Sequence, residues 1–73
     1  MESYGDDKTG VIGYALTYSG IILRFRNNEL YLYDDVKPGK EHVEQMKRLA
    51  ETGKGLTTYV TKHVRDNYRT KLE

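Results

Sequence analysis

Tyr31 and Tyr33 follow Arg24 and Arg26 across a short turn, so flat rings and guanidinium groups sit close together in the chain. Rings exposed on a sheet face stack unpaired nucleobases, each stacked base contributing about 1–3 kcal/mol, while cations hold the backbone phosphates. With seven tyrosines, one phenylalanine and no tryptophan, tyrosine carries nearly all the aromatic surface. The same two rings also read as core, their hydroxyls reaching the sheet rim as buried tyrosines normally arrange. A domain this small needs their apolar area, and the core reading is the heavier of the two.

A second basic set lies near the C-terminus. Lys62, Arg65 and Arg69 are spaced i, i+3, i+7. On a helix they would share about a third of the circumference and could track phosphates. Asp66 sits among them, and a solvated helix face is the commoner explanation of such a run. Gly53-Lys54-Gly55-Leu56-Thr57-Thr58 brings glycines, a lysine and hydroxyls to a helix start. There Gly53, Lys54, Gly55, Thr57 and Thr58 could form an anion seat of backbone N–H groups. It is not a nucleotide-binding P-loop, which needs four residues between Gly and Gly-Lys. A plain inter-helix link explains the same residues.

His42 and His63 stand alone, with no cysteine in the chain and no carboxylate at recognised metal-binding spacing, so no metal site is expected. His63 reads as packed against the sheet. Ser3 and Ser19 have no paired base, and Asp34 and Asp35 would point to opposite sides of a strand. These residues predict neither catalysis nor a cofactor, and no small-molecule substrate.

The elements that must position these groups follow from periodicity. Residues 1–9 are polar and acidic and read as a disordered lead. Gly10 to Leu16 forms a first strand ended by a Ser19-Gly20 turn. Ile21 to Arg26 and Glu29 to Tyr33 then make a hairpin around Asn27-Asn28. A two-residue loop would pair Phe25 with Leu30 and Leu23 with Leu32. A three-residue loop, with Asn28 left-handed in a bulge, pairs Leu23 with Tyr31 and Ile21 with Tyr33. The second register is preferred, because it sends Ile21, Leu23, Phe25 and both tyrosines toward the helices and leaves Arg24 and Arg26 in solvent.

After Lys37-Pro38-Gly39 the spacing predicts a helix over about 39–52, with Val43, Met46, Leu49 and Ala50 inward and Gly53 as its stop. A second helix, beginning after Gly55 and capped by Thr57 or Thr58, is expected to run to about 71, with Val60, His63, Val64, Asn67 and Lys71 facing in. The expected fold class is α+β: a three-stranded antiparallel meander followed by two α-helices packed on one face.

Seventy-three residues make one domain. Neither a membrane span nor a signal peptide is visible, and disulfides are excluded, so the expectation is a cytoplasmic protein with no membrane partner. Leu72-Glu73 is consistent with a cloning scar. Net charge is only +1, yet it is split. Residues 1–36 hold three basic side chains against six acidic ones, and residues 37–72 hold nine against four. A polarised surface can steer an anionic partner although the sum is near neutral.

Gly13-Tyr14, Phe25-Arg26-Asn27, Tyr31-Leu32-Tyr33 with Val36, and Lys62-His63-Val64-Arg65 with Tyr68 together resemble the KTSC domain. That bacterial domain occurs at the C-terminus of some lysyl-tRNA synthetases and as stand-alone proteins, and the resemblance spans about residues 11–69. Asn28 replaces an expected glycine, Ala15 an acidic residue, and Val60-Thr61 an aromatic-Asn pair, while the link 53–58 is longer than usual. The resemblance implies RNA as a partner through the synthetase context. Two function classes follow. One is a non-enzymatic RNA-binding module using Lys54, Lys62, Arg65 and Arg69 with Arg24 and Arg26. The other is a protein-interaction module using a sheet edge or an apolar strip such as Ile22 and Leu32.

Overall fold

The computed structural model describes residues 2–3 and 10–72. Its elements are β1 (Glu2–Ser3), β2 (Val11–Leu16), β3 (Gly20–Phe25), β4 (Leu30–Asp34), α1 (Lys40–Thr52), α2 (Leu56–Tyr59), a π turn (Val60–Val64) and β5 (Thr70–Lys71). The strands form one antiparallel sheet in chain order, and the helical segments pack on one of its faces. The α+β class holds, and among the described residues the expected three strands β2–β4 are flanked by two-residue edge strands β1 and β5, making five. Glu2–Ser3 pairs with Gly13 and Tyr14 as an edge strand, which corrects the expected lead at those two positions. Residues 4–9 of that lead lie outside the described residues.

The hairpin takes the three-residue loop. Asn28 N–H donates to the Phe25 carbonyl (2.7 Å) and Phe25 N–H to the Glu29 carbonyl (2.9 Å). Asn28 adopts φ 71°, a left-handed shape that asparagine tolerates better than most residues. The Asn27 side chain holds the bend by accepting from Glu29 N–H. The register is therefore Ile21 opposite Tyr33 and Leu23 opposite Tyr31. Ile21, Leu23 and Tyr33 enter the core with Val11, Val43, Met46, Ala50, Leu56, Val60 and Val64. A bulge between Val11 and Gly13 lets both Val11 and Tyr14 face the helical layer, opposite Phe25 and Leu23 respectively.

Helix α1 matches its periodicity. Val43, Met46 and Ala50 are buried, and Gly53 at φ 81° closes the helix by donating to the carbonyls of Leu49 and Ala50. The second helix matches only at its start. It begins after Gly55 as expected, but without a threonine cap, and its last regular turn ends at Val64. The main chain then leaves the helical path at Arg65 and returns to the sheet. Arg69 N–H donates to the Leu32 carbonyl and Leu72 N–H to the Leu30 carbonyl, satisfying the open edge of β4. Tyr68 fills the gap so made, 4.6 Å from the Tyr31 ring and 6.2 Å from the Tyr33 ring. Edge pairing and aromatic packing thus outweigh the helical periodicity of 65–71.

Candidate functional site

The turn of the chain at Arg65 opens a cleft of about 340 Å³ between the β3–β4 hairpin and the start of the second helical segment. Phe25, Tyr31, Tyr33 and Tyr68 supply its aromatic walls, and Asn27, Thr57, Thr61, Arg65 and Asp66 its polar groups. Phe25 meets Tyr31 edge to face at 5.4 Å, which holds the Tyr31 ring against the hairpin. The volume lies at the small end of the range for small-ligand pockets.

Tyr33 forms the floor. It is 1% exposed, so it cannot serve as half of an exposed aromatic platform. Its hydroxyl donates to the Arg65 carbonyl (3.1 Å), binding strand β4 to the end of the π turn. Burial pushes its ionisation far above the ordinary tyrosine value, with the neighbouring Tyr31 and Tyr68 adding to the effect. Tyr31 is half-buried, and its hydroxyl donates to Glu29 Oε1 (2.6 Å). Lys71 Nζ donates to Glu29 Oε2 (3.0 Å) and lies 6.0 Å from the centre of the Tyr31 ring. The bond to Glu29, followed by burial, pushes Tyr31 up to about 12. The same bond, with Lys71, holds Glu29 below the ordinary 4.5.

The predicted basic ridge is not present as drawn. Lys62 is exposed on the π turn, Arg65 follows the end of that turn and lines the cleft, and Arg69 lies in the segment leading to β5. Arg69 Nε sits 4.0 Å from Asp34 Oδ2, so its charge is partly offset. A spacing of i, i+3, i+7 places side chains together only if the helix continues, and it stops at Val64. Arg24 is half-buried, with Nη1 donating to Asn28 Oδ1 (2.5 Å), whereas Arg26 is exposed at the hairpin tip.

The anion seat is also dismantled. Gly53 N–H is consumed by the α1 cap, and the Thr57 hydroxyl accepts from Val11 N–H (3.2 Å), joining the inter-helix link to β2. Lys54 and Thr58 remain exposed, and Gly55 takes φ 86° ahead of a four-residue helix. His63 is exposed, not packed on the sheet, because the π turn carries it outward beside Tyr59.

Sequence reasoning missed Tyr68, Asn27, Thr61 and Asp66 as cleft residues. Tyr68 falls at the margin of an ideal helix, and only the chain reversal after Val64 aims it at Tyr31. On the opposite sheet face Ile22 stands between Ala15 and Leu32, away from the helices. No helix among the described residues is long and apolar enough to cross a membrane. No family model, no curated protein and no solved structure matches the chain.

Proposed function

We propose that this chain is a small non-enzymatic binding module that holds single-stranded RNA by receiving one unpaired base in the aromatic cleft. The observation that carries this reading is the convergence of Phe25, Tyr31 and Tyr68 with hydrogen-bonding groups in one open space large enough to admit a base. Ring faces provide stacking partners for a base, the Asn27 amide offers N–H donors, and the Asp66 carboxylate offers an acceptor for amino or imino groups. Arg65, which lines the cleft, with Lys62 and Arg26 exposed on the flanking elements, supplies positive charge for phosphates. The excess of basic side chains over residues 37–72 and the resemblance to the KTSC domain of lysyl-tRNA synthetases favour an RNA partner over other anions. The loss of a continuous basic ridge moves the binding role from a helix face to the cleft.

The test is fluorescence anisotropy with short labelled single-stranded RNA, comparing the chain with Tyr68→Leu and Arg65→Ala. Removing one stacking partner is expected to weaken binding about 5- to 150-fold, the equivalent of about 1–3 kcal/mol. Arg65→Ala is expected to weaken it and to flatten its salt dependence. Affinity unchanged by both substitutions would defeat the reading. A second reading, a protein-interaction module, is favoured by Ile22 and Leu32 standing opposite one another on the face away from the helices. Partner capture that survives high salt and is lost in Leu32→Glu would support it.

A further inference from the structure

Away from the cleft, His42 on α1 and His63 on the π turn come together around Tyr59. Their ring centroids are 6.2 Å apart and the rings are inclined by 33°. His63 also lies against the Tyr59 ring, at 4.5 Å between centroids. His42 Nδ1 is 2.7 Å from the Tyr59 hydroxyl. We propose that His42 and His63 form a surface site for one first-row transition-metal ion, of the kind imidazole prefers, such as Zn²⁺ or Ni²⁺.

The separation of the two rings is compatible with a shared ion. A metal–nitrogen bond of about 2.0–2.1 Å, added to about 1.1 Å from the nitrogen to the ring centre, sets roughly 6.4 Å as the widest separation of two imidazoles on one ion. The observed 6.2 Å lies inside that limit. A tetrahedral angle requires about 5.2 Å by the same construction, a movement of about 1 Å. His63 is exposed and can supply it by a small side-chain rotation.

Tyr59 gives the site its orientation. When His42 Nδ1–H donates to the tyrosine oxygen, the lone pair falls on Nε2, the nitrogen left for an ion. Fixing one nitrogen of a ligating imidazole in this way is what outer hydrogen-bond partners do at metal sites. Among the described residues no third His, Cys, Asp or Glu joins the pair. The ion would therefore keep water or take a further ligand from a bound partner, an open arrangement and not a closed structural one. The sequence conceals the site because Tyr59 and His63 share a helical face at i, i+4, but His42 comes from the preceding helix.

The test uses the full chain free of added histidines, titrated with Zn²⁺ while the His42 and His63 ring resonances are followed by NMR. One saturable 1:1 event that moves both rings together is expected, weakening as pH falls because protons compete for the same nitrogens. Mg²⁺, which prefers oxygen ligands, is expected to move neither ring. His63→Gln should abolish the event, and this exposed position can be changed without touching the core. Tyr59→Phe should keep the 1:1 event but weaken it about 10- to 100-fold. Independent titration of the two rings, binding unchanged in His63→Gln, or no saturation would overturn the proposal.

Discussion

Removing a single oxygen from Tyr33 tests how the cleft is held together. In Tyr33→Phe the ring stays in the core, where it is 1% exposed, but the bond to the Arg65 carbonyl at 3.1 Å is lost. A typical intramolecular hydrogen bond contributes about 0.5–1.5 kcal/mol net. The bond is part-buried, and the expected loss is about 1 kcal/mol. For a domain of this size that corresponds to a fall of about 4–8 °C in Tm. Thermal unfolding by circular dichroism measures it, with Tyr18→Phe as the control, since Tyr18 is fully exposed and should change nothing.

The same residue carries a pH signature. The folded protein raises the Tyr33 pKa above the ordinary 10, so its contribution is fully present below pH 10. It declines above that, where the unfolded chain ionises and the folded one does not. Tyr33→Phe should therefore flatten the alkaline loss of stability. A Tm within 1 °C of the parent together with an unaltered alkaline limb would refute the argument that this hydroxyl joins β4 to the π turn.

Other perturbations follow from the same geometry. Glu29 is held below the ordinary 4.5 by Tyr31 and Lys71, so its contribution is present above that pH and is lost as pH falls through the depressed folded value. Denaturant midpoints measured from pH 6 to pH 2 should show the advantage of the parent over Glu29→Gln vanishing at the acid end. Gly20→Ala would drive a Cβ into the Tyr33 carbonyl and to 2.9 Å from Asp34 Cα. It should cost about 3 kcal/mol or leave the chain unfolded in the same assay. Asn28→Ala places alanine at φ 71° and removes the acceptor of the Arg24 guanidinium. It should lower stability by about 1 kcal/mol or more, while Asn28→Gly, free of the backbone penalty, should lose less.

The chain from Gly10 to Gly53 was largely legible. Alternating apolar residues through 21–33 and an asparagine able to take positive φ specified the hairpin and its register. Val43, Met46 and Ala50 specified the inner face of α1. What misled was the stretch after Val64. Its helical spacing is genuine in the sequence, but the competing partner is the edge of β4, whose unpaired groups become visible only once the sheet exists. Arg65, Arg69 and Tyr68 therefore lie where long-range pairing puts them. The aromatic cleft was half legible: Tyr31 and Tyr33 were identified, but which ring would be floor and which would be wall depended on Tyr68. His42 and Tyr59 meet across two helices, a contact that no local spacing encodes.

The most direct test of the cleft as the binding site is an NMR measurement of contacts between protons of a short single-stranded RNA and the tyrosine ring protons of the labelled chain. Base protons in contact with Tyr31 and Tyr68, lost in Tyr68→Leu, are the predicted result. Contacts confined to Ile22 and Leu32 on the far side of the sheet, or no contacts at saturating RNA, would contradict it.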